Sequence, residues 1–402
     1  MNQPILNLLE LQGVDVIDVY DATNGGKIVE IVCHKPDPCP CGHGRWHRHG
    51  RLAPRQVSHQ WVGVHWVHLR WTPQRWRCTA CRRTVVDRPG QLRPWQRLTP
   101  VAQAAALLAL QRGSFRGTAA MLGVGPGVLR RLVDRVVPLE TPRWWDVPGD
   151  LVLSVDEHSF RGTDLCITLA MQAPVRRLIT VLTDDRIRTW DAWWQTVPAS
   201  VRARVRVGTC DLKASYRKGF ERWGSDQLRV VADPFHVVHD ANRRLDDIRR
   251  LEQQETGHAI PRWPLVKAQE RLTPRQAAAL TRIRQQFPAL GALHALKESL
   301  RDFWAQPTRA DAEQHLSRWL INADACDHAE GRVWAGLIRR WKPTLLAHWD
   351  QPERWTNGYL EGLHTKMKQL KRVSYGFRNR DRYRRKMLLG FLPSSGIPQL
   401  LT

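Results

Sequence analysis

Three carboxylates of this chain stand where divalent metal ions could bind them. Asp156 ends the apolar run LVLSVD, Asp211 follows the apolar run VRVGTC, and Glu361 lies early in a basic segment. A charge at the end of a buried strand is costly unless a partner or a metal compensates it. If the two strands are adjacent and parallel, Asp156 and Asp211 meet at the same edge of the sheet. Three such carboxylates can hold two divalent ions for phosphoryl transfer, and oxygen ligands favour Mg²⁺ or Mn²⁺.

The basic segment from Thr356 to Leu389 has the period of a long helix. Its apolar residues predict a buried stripe formed by Leu360, Leu363, Met367 and Leu370. A single early carboxylate, Glu361, among so many cations indicates a metal ligand beside groups that bind phosphate. The cations predicted to contact a nucleic acid backbone are Lys366, Lys368, Lys371, Arg372 and Arg378.

Other polar residues compete for the metal-binding role. Asp233 follows the apolar run LRVVA and could support the ligands or be the second ligand itself. His236 and His239 share a helix face, and a structural or phosphate-facing role is favoured for them over metal binding. Glu157 should point to the opposite side of its strand from Asp156, and Asp184–Asp185 fits a hairpin turn. Paired carboxylates also occur in glycosidases, but the charge of the chain argues against that class.

Four cysteines near the N-terminus have the spacing of a metal site. Cys78 and Cys81 form a two-residue knuckle, and Cys39 and Cys41 form an upstream pair that is one residue tighter than usual. Two thiolate pairs joined by strands are typical of a zinc ribbon, a structural site with no open coordination position. One ligand could instead come from a nearby residue, and the candidates are Cys33, His34, His43 and His47.

Residues 116–137 have the pattern of a helix-turn-helix with Gly123 at the turn. The second helix of such a unit lies in the major groove of DNA. The residues predicted to contact DNA are Arg130, Arg131 and Arg135. A plain packing module has the same pattern, but the surrounding charge and the zinc ribbon favour DNA binding.

Composition restricts the partner. The 402 residues carry a formal net charge of +24, which indicates a polyanion such as DNA or RNA, with a membrane surface as the competing partner. No apolar run is long enough to span a bilayer, and the first ten residues do not resemble a signal peptide. Eight cysteines without an export signal indicate a reducing compartment, and we expect the cytoplasm.

The elements that position these residues change in type along the chain. Apolar runs predict strands at 151–156, 165–171, 177–182, 205–210 and 228–232, with a helix at 189–197. The sequence after His236 has a helical pattern almost throughout. We predict seven segments: an arm (1–31), a zinc ribbon (32–90), a helix-turn-helix (94–140), an α/β core in two parts (150–240 and 351–392), a helical block (241–350) and a tail (393–402).

The order of these motifs resembles the ISL3 family of bacterial insertion-sequence transposases. The resemblance runs from about Cys33 to Leu389 and includes the blocks SVDEHSF, TCDLKASYRKGF and ADPFHVVHDANRRLD. Its most specific part is NG-x-x-EG followed by K-x-K-x-x-KR and YGFRN, near the end of the chain. His364 stands where the family often has Asn.

The resemblance implies a DDE transposase with a ribonuclease H-like core, in which Asp156, Asp211 and Glu361 are the catalytic triad and the helical block is an insertion. It further implies an enzyme that binds the terminal inverted repeats of its own element, cleaves DNA and joins the 3′-hydroxyl to target DNA. The partners would be double-stranded DNA and a second copy of the chain in a synaptic complex, at the bacterial nucleoid. The alternative is a catalytically silent DNA-binding regulator or architectural protein derived from a transposase.

Overall fold

The computed structural model describes residues 7–23, 25–90, 92–351 and 353–401. Of the predicted arm and tail, residues 1–6, Asn24 and Thr402 lie outside the described residues. The chain forms two compact units, one from Met1–Pro142 with Lys366–Thr402 and one from Arg143–Thr365. No helix in the described ranges is both long and apolar enough to cross a membrane.

Two sheets begin the first unit. A four-stranded sheet has the order β1-β2-β5-β4, with β2 and β5 parallel and the other pairs antiparallel. Its strands are β1 Val14–Asp21, β2 Lys27–Cys33, β4 Arg55–Val62 and β5 His65–Trp71. A three-stranded antiparallel sheet has the order β3-β6-β7, formed by Trp46–Arg51, Gln74–Cys78 and Thr84–Val86. The segment interpreted as an arm therefore contributes β1 and β2, whose alternating apolar residues pack in a core with Val57 and Leu69.

Among the described residues, the helices of the first unit include α1 Pro100–Leu110, α2 Phe115–Met121, α3 Pro126–Val136 and α14 Arg380–Phe391. Thr99 caps α1 and Ser114 caps α2, each through a side-chain oxygen that accepts a backbone N–H. Helix α14 packs against α1 and α3, and Arg382 donates to both carboxylate oxygens of Asp134. Lys386 is fully buried in α14, and its ammonium donates to the carbonyl of Gly113 over 2.9 Å.

The second unit contains a five-stranded sheet of order β10-β9-β8-β11-β12. Strands β8 Leu151–Arg161, β9 Asp164–Ala173 and β10 Arg177–Val181 are antiparallel, and β11 Val205–Cys210 lies parallel to β8 and to β12 Arg229–Ala232. Helices α4 Ile187–Thr196, α5 Ala199–Arg202 and α6 Ala214–Trp223 connect the strands. The five predicted strands are confirmed in their places, because buried apolar runs are visible in the sequence, but β8 is longer than predicted.

Helices follow β12 without a further strand in the described residues. They are α7 Pro234–Thr256, α8 Trp263–Val266, α9 Pro274–Gln286, α10 Pro288–Asp302, α11 Arg309–Asp324, α12 Ala329–Leu346 and α13 Gly358–Val373. Short 3₁₀ turns lie at Gln269–Arg271, Phe303–Ala305, Ala347–Trp349, Ser394–Gly396 and Pro398–Leu400. The predicted buried stripe of α13 is confirmed, since its four apolar residues are at most 6% exposed.

Candidate metal and DNA sites

Asp156 and Asp211 lie at the same level of two adjacent parallel strands. Ser154 of β8 pairs with Thr209 of β11, and each aspartate comes two residues later on its chain. The expectation that Asp156 ends its strand is wrong, because β8 continues to Arg161. Pairing with β9 extends the strand beyond the point where β11 stops, and Asp156 itself pairs with Thr168. Asp156 is therefore paired with β9 on one side, whereas β11 ends before the level of Asp156 on the other side.

Burial of these two carboxylates disfavours their charged form. It raises the pKa of Asp156 to about 7 and that of Asp211 to about 6. The charge of Asp211 raises the pKa of Asp156 further, and Glu157 raises both pKa values. His236 acts in the opposite direction on both carboxylates. Two buried carboxylates in mutual repulsion form a place where positive charge is stabilised.

The acidic neighbours of this pair have partners of their own. Glu157 accepts a hydrogen bond from the Tyr216 hydroxyl over 2.7 Å and another from the Lys213 ammonium. Asp185 also accepts from Lys213, over 3.1 Å. Asp184 accepts the backbone N–H of Arg186 over 3.0 Å in a local turn, but the expected hairpin is wrong, because the segment connects β10 to α4. These three carboxylates are thus engaged in ion pairing or in a turn.

Asp233, His236 and Glu361 form a second group, which we call the Asp–His–Glu cluster. One ligand atom from each residue lies within 4.8 Å of the other two, a spacing that a single metal ion can bridge. Asp233 directly follows β12, His236 is in the first turn of α7, and Glu361 is in the first turn of α13. Sequence reasoning grouped Glu361 with Asp156 and Asp211, and the structure brings Glu361 within 4.8 Å of Asp233 and His236.

Asn357 fixes the start of α13 against the sheet. Its backbone N–H donates to Asp233 over 3.0 Å, and its side-chain amide donates to the carbonyl of Val155 over 3.2 Å. Its amide oxygen accepts from the Thr209 hydroxyl over 2.5 Å. Asn357 is fully buried and determines where Glu361 lies relative to β8 and β11. Sequence reasoning missed this role, and the available signal was an Asn immediately before a helix.

His364 contacts the aspartate pair from the next turn of α13. Its Nδ1 lies 3.5 Å from a carboxylate oxygen of Asp156. Its ring also packs against that of His158, with centroids 5.1 Å apart, and His158 Nδ1 lies 2.9 Å from the Thr168 hydroxyl. His364 is therefore in direct contact with Asp156.

Cys39, Cys41, Cys78 and Cys81 come together as one group, here called the thiol cluster, with ligand atoms within 4.8 Å of one another. Cys39 lies 3.5 Å from Cys81 and Cys41 lies 3.7 Å from Cys78, measured between their sulfurs. A hydrogen bond from the backbone N–H of His43 lowers the pKa of the Cys41 thiol to about 6. Four sulfurs at this spacing fit tetrahedral zinc, and the tight first pair does not prevent their convergence.

The residues predicted to contact DNA differ in solvent exposure and in the contacts their side chains already make. Gly123 has a φ of +61° in the turn between α2 and α3, which glycine adopts readily. Arg130 and Arg131 are exposed on α3, whereas the Arg135 guanidinium donates to Gln103 over 2.7 Å. Exposed cations of the basic segment are Lys366, Lys368, Arg372 and Arg378. The Lys366 ammonium lies over the ring of Phe391, 4.4 Å from its centroid.

Comparison with known proteins identifies the family. Residues 153–387 match the profile of the ISL3 family, which is described as transposase. The chain is 24% identical over 328 residues to the transposase for insertion sequence element IS1001 of Bordetella parapertussis, covering 78% of this chain and 79% of that protein. It is 30% identical over 256 residues to the transposase for insertion sequence element IS1557 of Mycobacterium tuberculosis, covering 56% and 57% of the two chains. The chain belongs to the ISL3 family of transposases.

Proposed function

We propose that this chain is an active DDE transposase with a ribonuclease H-like core and the triad Asp156, Asp211 and Glu361. The observation that carries the proposal is the position of the two aspartates, each two residues after the paired Ser154 of β8 and Thr209 of β11. His236 connects them to Glu361, since it acts electrostatically on both aspartates and lies in the Asp–His–Glu cluster. The sheet order, with three antiparallel strands and two further parallel ones, supports the fold assignment.

The donor set fits divalent ions such as Mg²⁺ or Mn²⁺. Its oxygens come from carboxylates, and Asp233 carries a buried oxygen that no hydrogen-bond donor satisfies in the described residues. Ions bound by the triad would activate the attacking oxygen and stabilise the leaving oxygen of the DNA phosphodiester. The attacking oxygen would belong to water during cleavage and to the freed DNA 3′-hydroxyl during joining.

In this proposal, different residues bind the metal, position the helix that carries Glu361 and bind the DNA backbone. Asp156 and Asp211 would bind metal from the sheet, and Glu361 from α13, while Asn357 keeps α13 in register. Cations of the segment after Glu361, with Lys371 among them, would hold the phosphate backbone. We assign residues 150–240 and 351–392 to the core and residues 241–350 to a helical insertion.

The remaining segments would recognise the element. In this proposal the helix-turn-helix at 94–140 and the zinc ribbon at 32–90 bind the terminal inverted repeats. A second copy of the chain would hold the other end in a synaptic complex, at the bacterial nucleoid. The net charge of +24 supports a DNA partner.

Strand transfer tests the proposal. A labelled DNA fragment carrying the sequences that flank the gene is incubated with the full chain, target plasmid and Mg²⁺. We expect joined products with the wild type and none with Asp156→Ala or Glu361→Ala. Equal product from all three proteins would overturn the catalytic assignment, and absence of product from the wild type would favour a silent DNA-binding protein.

A further inference from the structure

Asp233 sits at a helix start without performing the usual role of that position. It is the residue preceding α7, where an aspartate normally accepts a backbone N–H of the first turn, yet its side chain makes no such bond. Its Oδ1 instead accepts the backbone N–H of Asn357 over 3.0 Å. Ordinary helix capping therefore does not explain this carboxylate.

The second oxygen of Asp233 points into the Asp–His–Glu cluster. Asp233 is only 2% exposed, and its Oδ2 has no hydrogen-bond partner among the described residues. His236 Nε2 lies 3.9 Å from this oxygen, which is too long for a hydrogen bond, and it too is buried without a hydrogen-bond partner among the described residues. A buried carboxylate oxygen and a buried imidazole nitrogen facing one another are costly unless something binds both.

From this arrangement we propose that Asp233, His236 and Glu361 bind one divalent ion directly, through two carboxylates and an imidazole nitrogen. The three ligand atoms lie within 4.8 Å of one another. Asp233 and His236 are three positions apart at the beginning of one helix, which places them on one face. Asn357 bonds to Asp233 and lies four residues before Glu361, so it connects the two sides of the site.

The imidazole determines which ions the site accepts. Mg²⁺ is held almost wholly by oxygen, whereas first-row transition ions accept a nitrogen ligand readily. The site should thus prefer Mn²⁺ to Mg²⁺. The inference rests on the proposed function for the role of this ion in catalysis, but binding itself depends only on the three residues.

Pulsed electron paramagnetic resonance of the full-length, zinc-loaded protein tests the inference with Mn²⁺ as the probe. At one equivalent of Mn²⁺, we expect ¹⁴N coupling from an imidazole in the wild type and its loss in His236→Ala. His239→Ala is the matched control, because His239 is exposed one turn further along the same helix. Absence of ¹⁴N coupling in the wild type, or its persistence in His236→Ala, would overturn the assignment.

Mn²⁺ titration supplies the affinity. We expect His236→Ala and Asp233→Asn to weaken binding by roughly tenfold or more, and His239→Ala to leave it unchanged. Circular dichroism establishes that each variant folds. The electron paramagnetic resonance spectrum of the wild type tests the nitrogen ligand without any substitution. Unchanged affinity in both folded variants would overturn the inference.

The same preparations separate this inference from the proposed function. If Asp156→Asn abolishes DNA cleavage while His236→Ala and Asp233→Asn bind Mn²⁺ as the wild type does, the inference alone fails. If the wild type binds Mn²⁺ through nitrogen but neither cleaves nor joins element DNA, the proposed function alone fails.

Discussion

The thiol cluster and the Asp–His–Glu cluster differ in what holds their ligands in place. Cys78 ends β6 of a small three-stranded sheet and the other three thiols lie in loops between strands; the buried core around them consists of Cys39, Cys78 and Trp46. The Asp–His–Glu cluster lies at the starts of two helices beside a five-stranded sheet with an extensive core. Sulfur ligands therefore form most of the core around the thiol cluster. The core beside the Asp–His–Glu cluster consists of apolar side chains that are not ligands.

This difference predicts different consequences of losing a metal. A small sheet with few apolar contacts depends on its ion for stability, as zinc-dependent domains do. A site anchored on a large core can exist before its ion binds and can leave coordination positions for substrate. We therefore expect ligand changes to unfold the first region and to inactivate the second without unfolding it.

The largest expected effect is on catalysis. Asp156→Asn should lower the single-turnover rate of DNA cleavage by about 10³-fold, since a weakened metal site removes several kcal/mol of transition-state stabilisation. Asp184→Asn is the matched control, because Asn can still accept the backbone N–H of Arg186 in the turn. Circular dichroism and zinc content should match the wild type in both variants. Cleavage by Asp156→Asn at the rate of the control would break the comparison.

Next comes the thiol cluster. Cys78→Ser should remove zinc from the purified chain and expose residues 46–51 and 74–86 to proteolysis, because the three-stranded sheet loses one of its four metal ligands. Cys33→Ala serves as the control, since Cys33 is buried at the end of β2 and is not part of the cluster. Elemental analysis and limited proteolysis report the two effects, while Mn²⁺ binding at the Asp–His–Glu cluster should not change. Retention of zinc by Cys78→Ser would contradict the ribbon.

A smaller effect concerns a buried charge in the unit that contains the thiol cluster. Burial lowers the pKa of Lys386 to about 8, so the folded state loses this proton before the unfolded state does. Stability should therefore rise with pH from about 8 towards 10.5, the ordinary value for Lys. Lys386→Met should raise the free energy of unfolding at pH 7 by about 1–3 kcal/mol and abolish that rise.

Denaturant titrations at pH 7 and pH 10 measure this change, with Lys218→Met, an exposed position, as the control. Mn²⁺ affinity should be the same in the wild type and in both variants. This result would show that stability changes in the unit of the thiol cluster do not affect metal binding at the Asp–His–Glu cluster. A variant that is less stable than the wild type at both pH values would show that the bond to Gly113 outweighs the cost of burial.

The smallest effect is on DNA affinity. Arg131→Ala should weaken binding by about 1 kcal/mol or less and lower the dependence of log affinity on log salt by roughly one unit. Arg135→Ala should change that slope less, because its guanidinium is held by Gln103. Fluorescence anisotropy over a salt series provides the slopes. Identical slopes for the wild type and Arg131→Ala would remove α3 from the DNA interface.

Elements with strong local patterns were predictable from the sequence. The strands of the five-stranded sheet consist of apolar runs, and the stripe of α13 has the helical period, so both followed from the order of residues. The convergence of the four cysteines was also expected from their spacing. Strand β8 was predicted too short, because its second half (EHSFR) alternates polar and apolar residues and is held by pairing with β9.

The ligand geometry was less accessible because it depends on contacts between distant residues. The sequence offers Asp233 as a second metal ligand or as a residue that supports the ligands, and only the bond from Asn357, 124 positions away, shows how its carboxylate is held. The contact of His364 with Asp156 likewise joins residues from a helix and a strand far apart in the chain. A sequence pattern identifies which residues can bind a metal but not which of them share one.

The central claim is that the sheet carboxylates bind the catalytic metal, and replacing one of these carboxylates by a thiol tests it most directly. Asp211→Cys should lose cleavage in Mg²⁺ by about 10³-fold, because Mg²⁺ binds thiolate poorly, and should regain at least about tenfold in Mn²⁺, which tolerates sulfur better. The rate of DNA cleavage is measured with each ion, with Asp211→Ala as the variant that neither ion should rescue. Cleavage by Asp211→Cys in Mg²⁺ at the wild-type rate would contradict the account.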